Sequence, residues 1–217
     1  MNFVRLSFCL LFVLSFSSCR KFEQEKIIAA AEPYKITNLY PIERLPKYFN
    51  RVAVMPAHYP DPSSAILSYS DEIFLKEVTN VGIFETIAVS TNFCLKYFGK
   101  KRLSSSETLP EHFMETLSEQ FGADGVMFID LHSYRPYRPI SLGVRSKLVD
   151  LKSGEFMWAV DEVLDAGSAS VMVSANTYEK ANRVQSISLK TNNSVTQSPR
   201  LFTNFVAFKL FETLPIR

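Results

Sequence analysis

The sequence predicts an α/β fold: a mixed sheet from β-α-β-α-β plus an antiparallel β-hairpin, with a C-terminal helix. Three observations predict it. Short apolar runs near residues 52–55, 84–90 and 126–131 alternate with segments whose apolar residues recur at helical spacing. Two long β-type segments, 141–151 and 155–165, are joined by Lys152-Ser153-Gly154, a compact hairpin connection. Beyond Ser198-Pro199, which read as an N-cap and first-turn proline, Leu201, Phe202, Phe205, Phe208 and Phe211 make a helix apolar on most sides.

Globular structure is expected to start at Arg51. Val52-Ala53-Val54-Met55, ended by Pro56, reads as a buried strand. Asp61-Pro62 then offers an N-cap and first-turn proline for a helix carrying Ile66, Ile73, Phe74 and Val78 on one face. Gly82 stops it, and Ile87 and Val89 mark the second strand. Residues 91–106 read mostly as loop, although Phe93-Cys94-Leu95 and Tyr97-Phe98 are too apolar for full solvation. Thr108-Leu-Pro-Glu111 has the form of a capping box. It opens a helix with Phe113, Leu117 and Phe121 on one face and Gly122 as its stop.

In the third strand, 126–131, the residues are apolar enough for a central position. Along the second hairpin arm Phe156, Trp158 and Val160 alternate with Met157 and Ala159, so both faces are expected to be partly covered. Residues 166–175 suit a helix start or a loop, and 178–197 reads as a polar, mobile surface segment. Helical segments between the first three strands make them parallel neighbours, and the hairpin extends the sheet antiparallel.

At the N-terminus, Arg5 precedes an uncharged, largely apolar run from Leu6 to Phe16, and Ser17 and Ser18 lead into Cys19. That is the three-part layout of a secretory signal, too short to span a bilayer as a helix of about twenty residues. A cysteine directly after the small residues makes Cys19 the candidate lipid-attachment residue of a bacterial lipoprotein. Phe16 stands where an aliphatic residue usually sits in such a signal. The expected organisation is a signal at 1–18, a tether and lead-in arm at 19–50 punctuated by Pro33, Pro41 and Pro46, and one domain at 51–217.

The formal charge of +2 offers no field for nucleic acid or acidic substrates. Cys94 is alone in the body of the chain, so no disulfide framework holds it. Beside two hydrophobes, it reads as a buried apolar residue. No nucleophile elbow, phosphate loop or dinucleotide fingerprint is present, and no cofactor is expected. His58, Asp61 and His132 fall near the ends of the first and third strands, where open α/β sheets bind ligands, and are the low-odds candidates for a metal site. The alternative is two loop histidines with Asp61 spent as a helix cap. His112 falls in a first helical turn. Asp150, Asp161, Glu162 and Asp165 read as solvent-face charges on the hairpin.

Gly99-Lys-Lys-Arg102 is the strongest basic run and reads as a solvated loop tip or a contact to anionic headgroups. Tyr134, Arg135, Tyr137 and Arg138, spaced by prolines, are the candidate partner-docking residues. The same stretch also suits a rigid connector.

Three segments carry a family resemblance: the strand Arg51-Val-Ala-Val-Met-Pro56, Phe121-Gly-Ala-Asp-Gly-Val126 before a strand, and the hairpin from Leu148 to Trp158. They resemble a group of envelope lipoproteins that includes the curli-secretion channel lipoprotein, the LpoB-type activators of penicillin-binding proteins and the N-terminal domain of TolB-like proteins. The resemblance spans roughly residues 50–180. It implies a non-enzymatic module working through protein contacts, partnered with envelope proteins and the membrane. The long membrane-inserting hairpins of the secretion channel are not evident. Arg20 after Cys19 implies, by analogy with lipoprotein sorting, the outer membrane after Sec export. The expected function is a lipid-anchored binding or assembly module in the cell envelope. The alternative is a subunit of a homo-oligomeric secretion or channel complex, and a metal-dependent hydrolase using His58 and His132 is the third reading.

Overall fold

In the computed structural model, residues 26–28, 30–185 and 194–216 are described; the expected signal and Cys19 lie outside them. Six strands form one sheet: β1 (Leu39–Pro41), β2 (Arg51–Val54), β3 (Glu85–Ala88), β4 (Gly125–Arg135), β5 (Ser141–Asp150) and β6 (Phe156–Asp165). Their spatial order is β1-β6-β5-β4-β2-β3. β2 pairs in parallel with both β3 and β4, and β4, β5 and β6 form an antiparallel meander. This is the expected α/β architecture.

Alternation along the strands sends side chains into two cores. Val52, Val54, Met127, Ile129 and Leu131 face one core, whereas Ala53, Met55, Val126 and Phe128 face the other. The first core is closed by α1 (Ser70–Val81), α4 (Ala169–Gln185) and α5 (Pro199–Phe211). Phe74 of α1 meets Phe211 of α5 edge-on at 6.1 Å, and Trp158 packs on Phe211 while donating Nε1–H to Thr213 Oγ1 at 3.0 Å. Truncating any of these rings to alanine is worth about 3–5 kcal/mol. The second core is closed by α2 (Thr91–Phe98) and α3 (Phe113–Phe121), with Phe113 stacked on Phe128 at 5.7 Å.

Several expectations are corrected. Residues 91–98 form a helix rather than a loop: Ser90 accepts from the Phe93 amide, and Gly99 ends it in the left-handed region. Asp61 caps no α-helix. It closes a turn on Ser63, and a 3-10 turn (Ala65–Ser68) precedes α1. The capping box at Thr108 is unused because His112 takes a left-handed backbone (φ 57°), so the helix begins only at Phe113. Residues 178–185 belong to α4, and Val195 is buried; residues 186–193 lie outside the described set. Asp150 and Glu162 are buried rather than solvent-facing.

The lead-in arm joins the globule before Arg51. β1 pairs antiparallel with β6 and covers part of the hairpin edge. Leu45 and Phe49 are buried in the first core, and the Leu45 amide donates to Ile216 O at 3.0 Å. Glu162 on β6 fastens the arm: its carboxylate accepts from Tyr34 Oη, the Thr37 amide and hydroxyl, and the Asn38 amide at 2.5–3.0 Å.

Candidate partner-docking site

The 134–139 stretch is partly strand. Tyr134 and Arg135 end β4, in register with Leu142 and Ser141. The Tyr134 hydroxyl lies 3.0 Å from that of Tyr69; burial, with this bond second, pushes its phenol pKa up. Arg135 clasps the loop, donating Nε–H to Pro139 O at 2.7 Å and pairing with Asp165 at 2.8 Å. Arg138, whose bond to Pro139 is cis, donates to Gln197 at 3.0 Å. Tyr137 stands at the tip, 80% exposed. Tyr134 and Arg135 therefore build the loop, whereas Tyr137 and Arg138 are presented by it. Arg138 and Pro139 border a cleft of about 620 Å³ with Gly167, Met172 and the arm residues Ile27 and Ile28.

The histidines do not converge. His58 bridges onto β4 through its backbone, and its Nδ1 lies 3.7 Å from Asp130 Oδ1. Asp130 is buried and is held by the Ser105 amide and hydroxyl. His132 sits at the break in register between Leu131 and Ser133. Its ring fills the space over Gly143 that a Cβ would need, and Nε2 reaches Asp161 at 3.0 Å. Arg145 also grips Asp161, through Nε at 2.7 Å and Nη2 at 2.6 Å, and donates Nη1–H to Ser106 Oγ.

Asp61 is engaged elsewhere. Its Ser63 hydroxyl and amide bonds hold the carboxyl below its ordinary range. The low-odds metal candidates His58, Asp61 and His132 are thus three residues with three separate partners, and no group of three potential ligands is positioned for a metal among the described residues. The Arg145 guanidinium on Asp161 also opposes a cation beside His132. Two cations of the basic run are spent locally: Lys100 pairs with Glu107 at 2.6 Å, and Arg102 turns inward onto Asp71 and Ala57 O.

One surface escaped the sequence reading. α2 and α3 cover β2, β4 and the end of β5, but Tyr40 of β1 and Phe156 and Val163 of β6 remain exposed on the sheet. Lys147 lies 5.6 Å above the Phe156 ring. A cleft of about 120 Å³ runs inward from Phe156 to Leu109, Phe113 and Phe128. Alternation alone groups Phe156 with Trp158 and Val160; a break in register opposite Leu148 and Val149 turns it to the face of the second core instead.

No family model and no curated protein matches this chain. Among solved structures, it is similar to lipoprotein GNA1162 from Neisseria meningitidis, at 17% identity and TM-score 0.45, over 61% of this chain and 99% of that one. It is similar to the PelC dodecamer from Paraburkholderia phytofirmans at 15% identity and TM-score 0.40, over 64% of this chain and 86% of that one. It is also similar to the LpoB C-terminal domain from Escherichia coli at 14% identity and TM-score 0.36, over 64% and 93% respectively.

Proposed function

We propose that this chain is a bacterial outer-membrane lipoprotein, exported by the Sec pathway and anchored through Cys19. On this reading it acts without catalysis, as a binding or assembly module of the cell envelope. The observation that carries the reading is the order of residues 1–20: Arg5, an apolar run, small residues, Cys19 and then Arg20. Two features support a docking role. Tyr137 and Arg138 are offered outward on a clasped, proline-bounded loop, a combination of aromatic and arginine side chains that suits protein contacts. The arm residues Ile27 and Ile28 border the same cleft as Arg138, which supports a docking loop on the side of the N-terminal arm.

A photoreactive phenylalanine analogue at position 137 tests the role in cells. Adducts to another envelope protein at 137, and none from the same analogue at solvent-facing Glu119 on α3, are expected. Adducts to a second copy of this chain at 137 would favour the homo-oligomeric secretion or channel subunit instead. Equal, unselective adducts at both positions would remove the docking role.

A further inference from the structure

Where α1, α4 and α5 meet, a cavity of about 730 Å³ opens to solvent. Its size falls within the range of small-molecule sites, about 300–1,000 Å³. Three aromatic rings contribute to its wall: Tyr178 of α4 lies 5.7 Å from Phe205 and 5.0 Å from Phe208, both of α5. Glu77 of α1 lines the same space and is only 7% exposed.

Lys76 and Asn80 partly match Glu77, each interacting with its carboxylate. Lys76 Nζ forms an ion pair with its carboxylate at 3.7 Å and is itself mostly exposed. Lys209 is committed to Glu212 at 2.7 Å. Burial raises the Glu77 carboxyl above its ordinary range, against the opposing pull of Lys76 and Asn80. Burial, with the Glu77 charge second, pushes the Tyr178 phenol up to about 12, so ring and carboxylate share one electrostatic environment.

We propose that this cavity binds an organic ammonium ligand, a primary amine carrying an apolar body. Aromatic faces attract ammonium groups within about 6 Å of their centroids. The Glu77 carboxylate, with acceptor positions left over, supplies the counter-charge and directional bonds. Phe208 takes the apolar body, backed by the buried Phe205. The site is independent of Cys19 and of the docking loop.

Phenethylamine and its uncharged counterpart 2-phenylethanol are the probes, titrated against the full chain in detergent by ligand-observed NMR. The amine is expected to bind, and the alcohol to bind about tenfold more weakly because it lacks the charge. Glu77→Gln keeps the shape and should weaken the amine about tenfold while leaving the alcohol unchanged. Phe208→Ala, at a partly exposed position, should weaken both. No saturable amine binding at millimolar concentration, equal binding of amine and alcohol, or an unchanged amine affinity in folded Glu77→Gln would each overturn the assignment. If Glu77→Gln fails to fold, the two probes and Phe208→Ala decide it.

Discussion

Glu162→Ala should detach the N-terminal arm and destabilise the domain. The carboxylate is buried on β6 and takes hydrogen bonds from Tyr34, from Thr37 twice and from Asn38. Burial alone would raise its pKa, but the bonds from Tyr34, Asn38 and Thr37 together outweigh that and hold it below the ordinary carboxyl range. A hydrogen bond to a charged group contributes about 1.5–3 kcal/mol, and bonds sharing one acceptor do not add. Desolvating the carboxylate offsets part of the sum, so we expect a net loss of about 2–3 kcal/mol. At about 2–4 °C per kcal/mol for a domain of this size, Tm should fall by about 4–12 °C.

Because the folded pKa is depressed, this contribution is present above the unfolded carboxyl pKa of about 4.3 and is lost as pH falls through the lower folded value. The gap between wild type and variant should therefore be full at pH 7 and close in acid. Thermal unfolding by circular dichroism measures it, and limited trypsinolysis at Lys35 and Lys47 reports whether the arm has come free. A variant within about 0.5 kcal/mol of wild type at pH 7, the scatter of ordinary surface changes, would refute the reasoning. So would an arm that stays protected.

Other perturbations follow from close packing. Gly125→Ala would drive a methyl into the Phe49 ring and should cost about 1–3 kcal/mol, read by urea denaturation with an unchanged m-value. Gly143→Ala would displace His132 from Asp161, and the His132 ring resonances in NMR should shift even if stability falls by only about 1 kcal/mol. Cys94 is buried and burial pushes its thiol up to about 11, so site-resolved mass spectrometry should find it unalkylated by iodoacetamide at pH 8 in the native protein and fully alkylated in guanidinium.

The strands were legible because buried apolar runs and a hairpin turn are local signals. Val52 to Met55, the Lys152-Ser153-Gly154 connection and the Ser198-Pro199 cap all appear where the residues place them. Helix α2 was legible too, in Ser90 and Gly99 at its two ends. Pairing that depends on tertiary contact left no such trace. β1 is three residues long and exists because β6 offers an edge and Glu162 holds the chain beside it.

In the candidate site, Tyr137 and Arg138 were readable from composition. That Tyr134 and Arg135 extend β4 was not, since their partners Leu142 and Ser141 lie beyond a loop. His58 and His132 looked alike in sequence and differ in the fold because a break in register turns His132 over Gly143 toward β6.

Anchoring through Cys19 is the central claim, and metabolic labelling with palmitate tests it most directly. Wild-type chain should incorporate label and fractionate with the outer membrane, and Cys19→Ser should lose both. Label retained in Cys19→Ser would contradict the account.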